Sequence, residues 1–260
     1  MMRTSAVALA GAVAFLALAT IAVAQDEGTP PLPKQKWSFA GPFGTYDRAA
    51  LQRGFGVYQN VCENCHELGL IHFGDLGADG PGGGIGYNEE QVKAIAAASA
   101  KQYPDTDDSG QPIQRPGRPT DTPLPLNYDN VKQAKALFGT APPDLSLIVK
   151  AREGGADYVY AFLSGFSEDK NKDRSGAPYY NEYFPGHNVA MPPPPLAGND
   201  VPGVKATADE ERRDVVTFLS WASEPTMEDR KRTGIKVLIF LIATTGVLYF
   251  AKRQIWASLH

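Results

Sequence analysis

Cys62-Glu63-Asn64-Cys65-His66 decides how this chain is read. These are its only two cysteines, and they stand three apart with a histidine directly after the second. C-x-x-C-H is the attachment pattern of a c-type haem. Each part has a task. The two thiols add to the vinyl groups of the porphyrin, so the group cannot dissociate, and the histidine offers iron a nitrogen from the same turn. A structural zinc site would need four ligands, usually a second cysteine or histidine pair. No second pair exists here.

Working back from the motif, Leu51, Phe55, Tyr58 and Cys62 recur on one helical face. Asp47 is placed to N-cap that helix, which is expected to run to about Asn60. The apolar face then delivers Cys62 to the side where a haem would pack. Forward of the motif, Gly80 to Gly86 reads GPGGGIG. It lacks the preceding strand and the following Gly-Lys-Ser/Thr of a phosphate loop. Asn88 and Gln91 form a capping box for a helix expected to reach about Tyr103. Residues 104–130 hold six prolines and read as a long loop. Short helices are expected at 129–138, 144–151 and 156–164. A capping box at Thr207 and Glu210 opens a further helix to about Ser223, and Pro225 stops it.

The two ends address the chain to a membrane. Arg3, an apolar run from Ser5 to Thr20 and Ala22-Val23-Ala24 form a secretory signal, 1–24, with cleavage expected before Gln25. Thr233 to Ala251 is apolar all round and close to the ~20 residues that cross a bilayer. Tyr249 and Trp256 suit the interfacial belt. The expected layout is an exported haem domain at 25–229, an anchor at 233–251 and a cytoplasmic tail at 252–260. Residues 25–229 hold 18 Lys/Arg and 29 Asp/Glu, a net charge of −11 against −4 for the whole chain. Such a head repels nucleic acid and steers basic partners.

A second axial ligand can be sought by elimination. His260 lies beyond the anchor, Met227 sits at its edge, and His72 is too close to His66 in sequence to reach the opposite haem face. His187 and Met191 remain. Met191 stands in an apolar, proline-held stretch and is favoured, since a methionine ligand raises the iron potential and suits electron transfer. Two filled axial positions argue for a carrier rather than for an enzyme with an open iron site.

The chain also resembles the cytochrome c1 family. The resemblance rests on Gln52-Arg53-Gly54-Phe55-x-Val57-Tyr58 before the CxxCH, Arg115-Pro116-Gly117, Pro142-Pro143-Asp144-Leu145-Ser146 and Gly154-Gly155-x-Asp157-Tyr158-Val159. It continues through Tyr183-Phe184-Pro185-Gly186 ahead of Met191-Pro192, Asp214-Val215-x-Thr217-Phe218-Leu219, Trp221-Ala222-x-Glu224-Pro225 and Arg230-Lys231-Arg232-x-Gly234.

It implies an all-α, class I cytochrome c-like core with long loop insertions and one C-terminal transmembrane helix. It implies one covalent haem c ligated by His66 and Met191, with Arg115 pairing a propionate and Pro143 and Leu145 lining the pocket. It also implies an electron-transfer subunit of a quinol:cytochrome c oxidoreductase, without catalysis of its own. Its expected partners are cytochrome b, the Rieske iron–sulfur protein as donor and a basic c-type cytochrome as acceptor. The expected location is the bacterial inner membrane, haem domain in the periplasm. A free-standing tethered cytochrome serving an oxidase or reaction centre is the alternative.

Overall fold

A computed structural model of the chain describes residues 29–167, 178–198, 201–202 and 205–257. The signal at 1–24 and the end of the tail, including His260, lie outside these residues.

The motif helix forms as its pattern requires. Asp47 is the N-cap: its carboxylate accepts from the amides of Ala49 (2.9 Å) and Ala50 (3.2 Å), satisfying donors that the first turn leaves open. α1 spans Arg48–Val57 and continues without a break into a π-helical turn, Tyr58–Cys62. Leu51, Phe55 and Tyr58 are fully buried on its inner face. Each such side chain contributes roughly 1.5–3 kcal/mol by leaving water.

α2 spans Glu89–Ala98, and its Asn88–Gln91 capping box is formed in both directions. It stops short of Tyr103 because that residue is drawn into a hairpin. β1 (Tyr103–Thr106) pairs antiparallel with β2 (Pro112–Arg115), Tyr103 opposite Arg115. The stretch read as a bare loop thus carries a small ribbon. α3 spans Val131–Phe138, N-capped by Asn130 and closed by Gly139 at φ +75°. Residues 144–151 are turns rather than the expected helix. There the Asp144 carboxylate accepts from the Ser146 amide at 2.7 Å, a local bond that competes with helical pairing. α4 spans Gly155–Ser164, and a second ribbon pairs β3 (Tyr179–Tyr180) with β4 (Asn188–Val189).

α5 spans Ala208–Ser223 from the expected Thr207–Glu210 capping box. It buries Val215, Val216, Phe218, Leu219, Trp221 and Ala222. α1 and α5 make the most extensive helix pair of the head. Phe218 lies 5.3 Å from Phe55 and 5.9 Å from Tyr58 between ring centroids. Arg53 grips Asp214 through two bonds, Nε–Oδ2 at 2.6 Å and Nη2–Oδ1 at 2.9 Å. At the crossing the backbones nearly touch, since a Cβ on Gly54 would lie 2.0 Å from the Asp214 carbonyl oxygen.

α6 spans Met227–Trp256, 30 residues. At 1.5 Å per residue it is about 45 Å long, more than the ~30 Å hydrocarbon thickness. Met227 is its one buried residue among those described, and Val237 to Phe250 present an apolar surface to the surroundings. The architecture is a mostly helical head with one long apolar C-terminal helix.

Gly54→Ala gives a test with a definite sign. On an open helix face alanine would be favoured by about 1 kcal/mol. At this crossing the added methyl should cost roughly 1–3 kcal/mol, read as a fall in the thermal midpoint followed by circular dichroism. A raised midpoint would contradict the close contact.

Candidate metal centre

The CxxCH turn is held from three directions. Its own backbone closes first: Glu63 N donates to Tyr58 O (2.8 Å), and Cys65 N and His66 N donate to Cys62 O (3.0 and 2.9 Å). From the second direction, Leu126 N donates to Glu63 O (3.0 Å), Asn127 N to Asn64 O (3.1 Å) and the Tyr128 hydroxyl to Cys65 O (2.9 Å). From the third, the 143–146 turn meets residues 66–70. Leu145 N donates to Glu67 O (3.0 Å), Gly69 N to the Asp144 carboxylate (3.1 Å) and Leu70 N to Ser146 Oγ (3.1 Å). The Tyr58 hydroxyl donates to His66 O at 2.8 Å from inside the core. Consecutive carbonyls from Cys62 to Glu67 are therefore occupied, and the turn has little freedom left.

His66 is buried, and its Nδ1 lies 2.8 Å from the Pro143 carbonyl oxygen. A carbonyl can only accept, so Nδ1 carries the proton. Burial holds the imidazole below its ordinary pKa, outweighing the opposite pull of the Pro143 carbonyl. Burial therefore favours the neutral ring, in which Nε2 is the lone-pair nitrogen. That is the protonation state an iron ligand needs, with the second-shell hydrogen bond fixing ring orientation. Cys62 and Cys65 are half-buried and not joined to each other, and Asn127 Nδ2 lies 3.9 Å from Cys65 Sγ. Two thiols and an oriented neutral imidazole on one turn fit a covalent haem. They do not fit zinc, since the described residues hold no cluster of three or more metal-ligating side chains.

The structure brings Cys62, Cys65, His66, Pro143 and Leu145 into one hydrogen-bonded unit, with Leu145 buried behind it. Arg115 belongs to a neighbouring cluster. Its guanidinium grips both oxygens of Asp121 (Nη2–Oδ1 2.8 Å), and its Nε lies 3.0 Å from Asp105 Oδ2. It covers the Tyr103 ring at 5.7 Å, and one Nη1 hydrogen goes to Pro116 O at 3.0 Å. Among the described residues Nη2 donates to Asp121 alone, leaving one of its hydrogens for a further acceptor. Met191 is half-buried in the proline-rich segment just after β4.

His187 has a different task. It alone among the described non-glycine residues has positive φ, +62°, and its ring stacks on Tyr180 at 5.2 Å. Its Nδ1 lies 3.2 Å from Asn181 O, so it closes the turn between β3 and β4. His72 is spent on Asp75 at 3.3 Å.

Sequence reading missed Glu63. It lies inside the motif, is 4% exposed, and its Oε1 has no hydrogen-bond partner among the described residues. Burial pushes its pKa up to about 7. Tyr128 was also missed, because its hydroxyl serves a carbonyl 63 residues away and local pattern carries no mark of that.

Comparison with known proteins gives the same direction. The model of the Cytochrome C1 family matches residues 37–259. Cytochrome c1 of Rhodospirillum rubrum is 40% identical, covering 89% of each chain. Cytochrome c1 of Blastochloris viridis is 39% identical over 93% of this chain and 92% of its own. A longer protein of Bradyrhizobium diazoefficiens, cytochrome b/c1, is 44% identical over 90% of this chain, which spans 37% of its length.

Glu63 yields a stability prediction. Its folded pKa, about 7, lies above the ordinary 4.5, so the folded state holds the proton more tightly. Stability from this group is present below pH 4.5 and is lost as pH rises through 7. Glu63→Gln should flatten that decline and raise the thermal midpoint at pH 8, by up to about 3 kcal/mol in stability. Equal midpoints for parent and variant across pH 5–8 would contradict a buried, protonated Glu63.

Proposed function

Because the chain belongs to the cytochrome c1 family, we propose that it relays single electrons through one haem c bound covalently by Cys62 and Cys65. Cytochrome c1 is the haem-bearing electron-transfer subunit of the bc1 complex. The observation that carries the reading is the buried His66, oriented by its bond to the Pro143 carbonyl, on the same turn as both thiols. When bound, the haem supplies a one-electron couple at its iron.

The chain's own residues then have the following parts. His66 Nε2 would hold the haem iron. Met191 would be its second ligand, a reading supported by the occupation of His187 and His72 in local structure. Pro143 orients His66, and Leu145 closes the pocket wall. Arg115 offers its remaining Nη2 hydrogen to a propionate, its position kept by Asp121 and Asp105. Apolar walls and a thioether ligand favour the reduced iron and so raise its potential.

The donor in this reading is the Rieske iron–sulfur protein, and cytochrome b is a further neighbour. The name of the longer Bradyrhizobium relative, cytochrome b/c1, supports that neighbourhood. The acceptor is a basic c-type cytochrome, attracted by the −11 head. Such attraction raises the association rate and weakens with salt. The signal at 1–24 exports residues 25–229 to the periplasm, residues 233–251 of α6 cross the inner membrane, and residues 252–260 stay in the cytoplasm.

Two measurements test this. Purified in mild detergent, the chain should arrive with b-type haem and a Rieske cluster; a clean monohaem monomer would favour the free-standing carrier. Met191→Leu should lower the haem potential and let carbon monoxide bind the reduced iron at neutral pH. An unchanged potential and spectrum would exclude Met191 as ligand.

A further inference from the structure

The Gly80–Gly86 stretch binds no phosphate in the reading above, yet the fold places it at a junction. Gly82 takes φ +64°, and a Cβ there would lie 2.1 Å from the Pro225 carbonyl oxygen. The glycine loop therefore seats directly on the turn between α5 and α6. Gly84, at φ +53°, has the Gly77 carbonyl oxygen 2.0 Å from where a Cβ would be. Glycine is required at both positions.

The carbonyls of these two glycines converge on one side chain. Arg48 donates from Nη1 to Gly84 O (2.8 Å) and from Nη2 to Gly82 O (3.0 Å). The same Nη2 pairs with Glu228 Oε2 at 3.2 Å, in the first turn of α6. Glu228 Oε1 accepts from the Tyr46 amide at 2.8 Å. One turn further, Lys231 Nζ donates to Phe39 O (2.6 Å) and Gly44 O (3.1 Å). The Tyr46 hydroxyl donates to Ser220 O at 3.0 Å, at the end of α5.

Arg48 is also the first residue of α1, which runs unbroken through the π turn to Cys62. At 1.5 Å per residue that rod is about 20 Å long. Among the described residues, the contacts of α6 with the head lie in its first turns, Met227, Glu228 and Lys231 among them. Its direction relative to the head is thus set by its first turns alone.

We propose that Arg48, Glu228 and the glycine loop clamp the membrane helix to α1, and so fix the height and tilt of the haem over the bilayer. This rests on the reading that His66 carries the haem and α6 crosses the membrane. Electron-transfer rates fall exponentially with distance, so a head free to swing on the turn before α6 would lose rate without any change at the iron. Arg48 and Glu228 are positioning residues here; neither touches the haem site.

The test uses native membranes bearing the full chain with Arg48→Ala, Glu228→Gln or both. Glu228→Gln keeps an oxygen for the Tyr46 amide, so it removes the charge while preserving the local fold. In oriented membrane multilayers, electron paramagnetic resonance of the oxidised haem reads the spread of haem-plane angles. Each single variant should broaden that spread and slow haem reduction after quinol addition several-fold. The midpoint potential and optical spectrum should stay unchanged. The double variant should be no worse than the worse single one, as expected for partners in one link. A parent-like narrow spread in both Arg48→Ala and the double variant would overturn the clamp. Absence of attached haem from the parent chain would overturn the haem reading instead.

Discussion

One hydrogen bond, 2.8 Å from His66 Nδ1 to the Pro143 carbonyl, sets the terms for everything around it. It selects the tautomer, orients the ring and leaves Nε2 as the nitrogen with a free lone pair. A histidine on a flexible turn would sample rotamers and lose that direction. The surrounding structure exists largely to prevent this. Residues 126–128 take the carbonyls of Glu63, Asn64 and Cys65. The 143–146 turn takes Glu67 and returns side-chain acceptors to Gly69 and Leu70. Because these braces come from residues 126–128 and 143–146, the turn is fixed from several distant parts of the chain at once.

The helical frame supports that turn from below. α1 reaches the motif through a π-helical turn, which inserts one extra residue per turn and rotates the following side chains. That rotation is where Cys62 leaves the fully buried face of Leu51, Phe55 and Tyr58 and becomes half-buried. The α1–α5 crossing at Gly54 and the Arg53–Asp214 pair fix how α1 lies in the head. Burial at the motif has an electrostatic consequence too. A head with a net charge of −11 keeps one of its carboxyls, Glu63, inside beside the motif, where burial favours its neutral form.

Much of this was legible in the residues. Caps at Asp47, Asn88 and Thr207, the apolar face of α1 and the long apolar run of α6 are local signals, and the helices formed where they pointed. The CxxCH motif is local as well. What local pattern could not carry was long-range. Local pattern carries the helix on to Tyr103, because the pairing of Tyr103 with Arg115 lies across a loop. The 144–151 segment has a helical local pattern, and the demand of residues 66–70 for its side chains comes from elsewhere in the chain. The glycine loop had no visible purpose until Arg48 and Pro225 were brought against it. Arg115 was marked by resemblance alone, and its two carboxylate partners became apparent only in the fold.

The central claim is that this turn carries a haem attached at both cysteines. Proteolysis of the mature protein, followed by mass spectrometry of the peptide spanning Cys62 to His66, reads it directly. The account predicts a peptide heavier by one haem, with neither thiol open to alkylation. A peptide of unmodified mass, alkylated at Cys62 and Cys65, would contradict it.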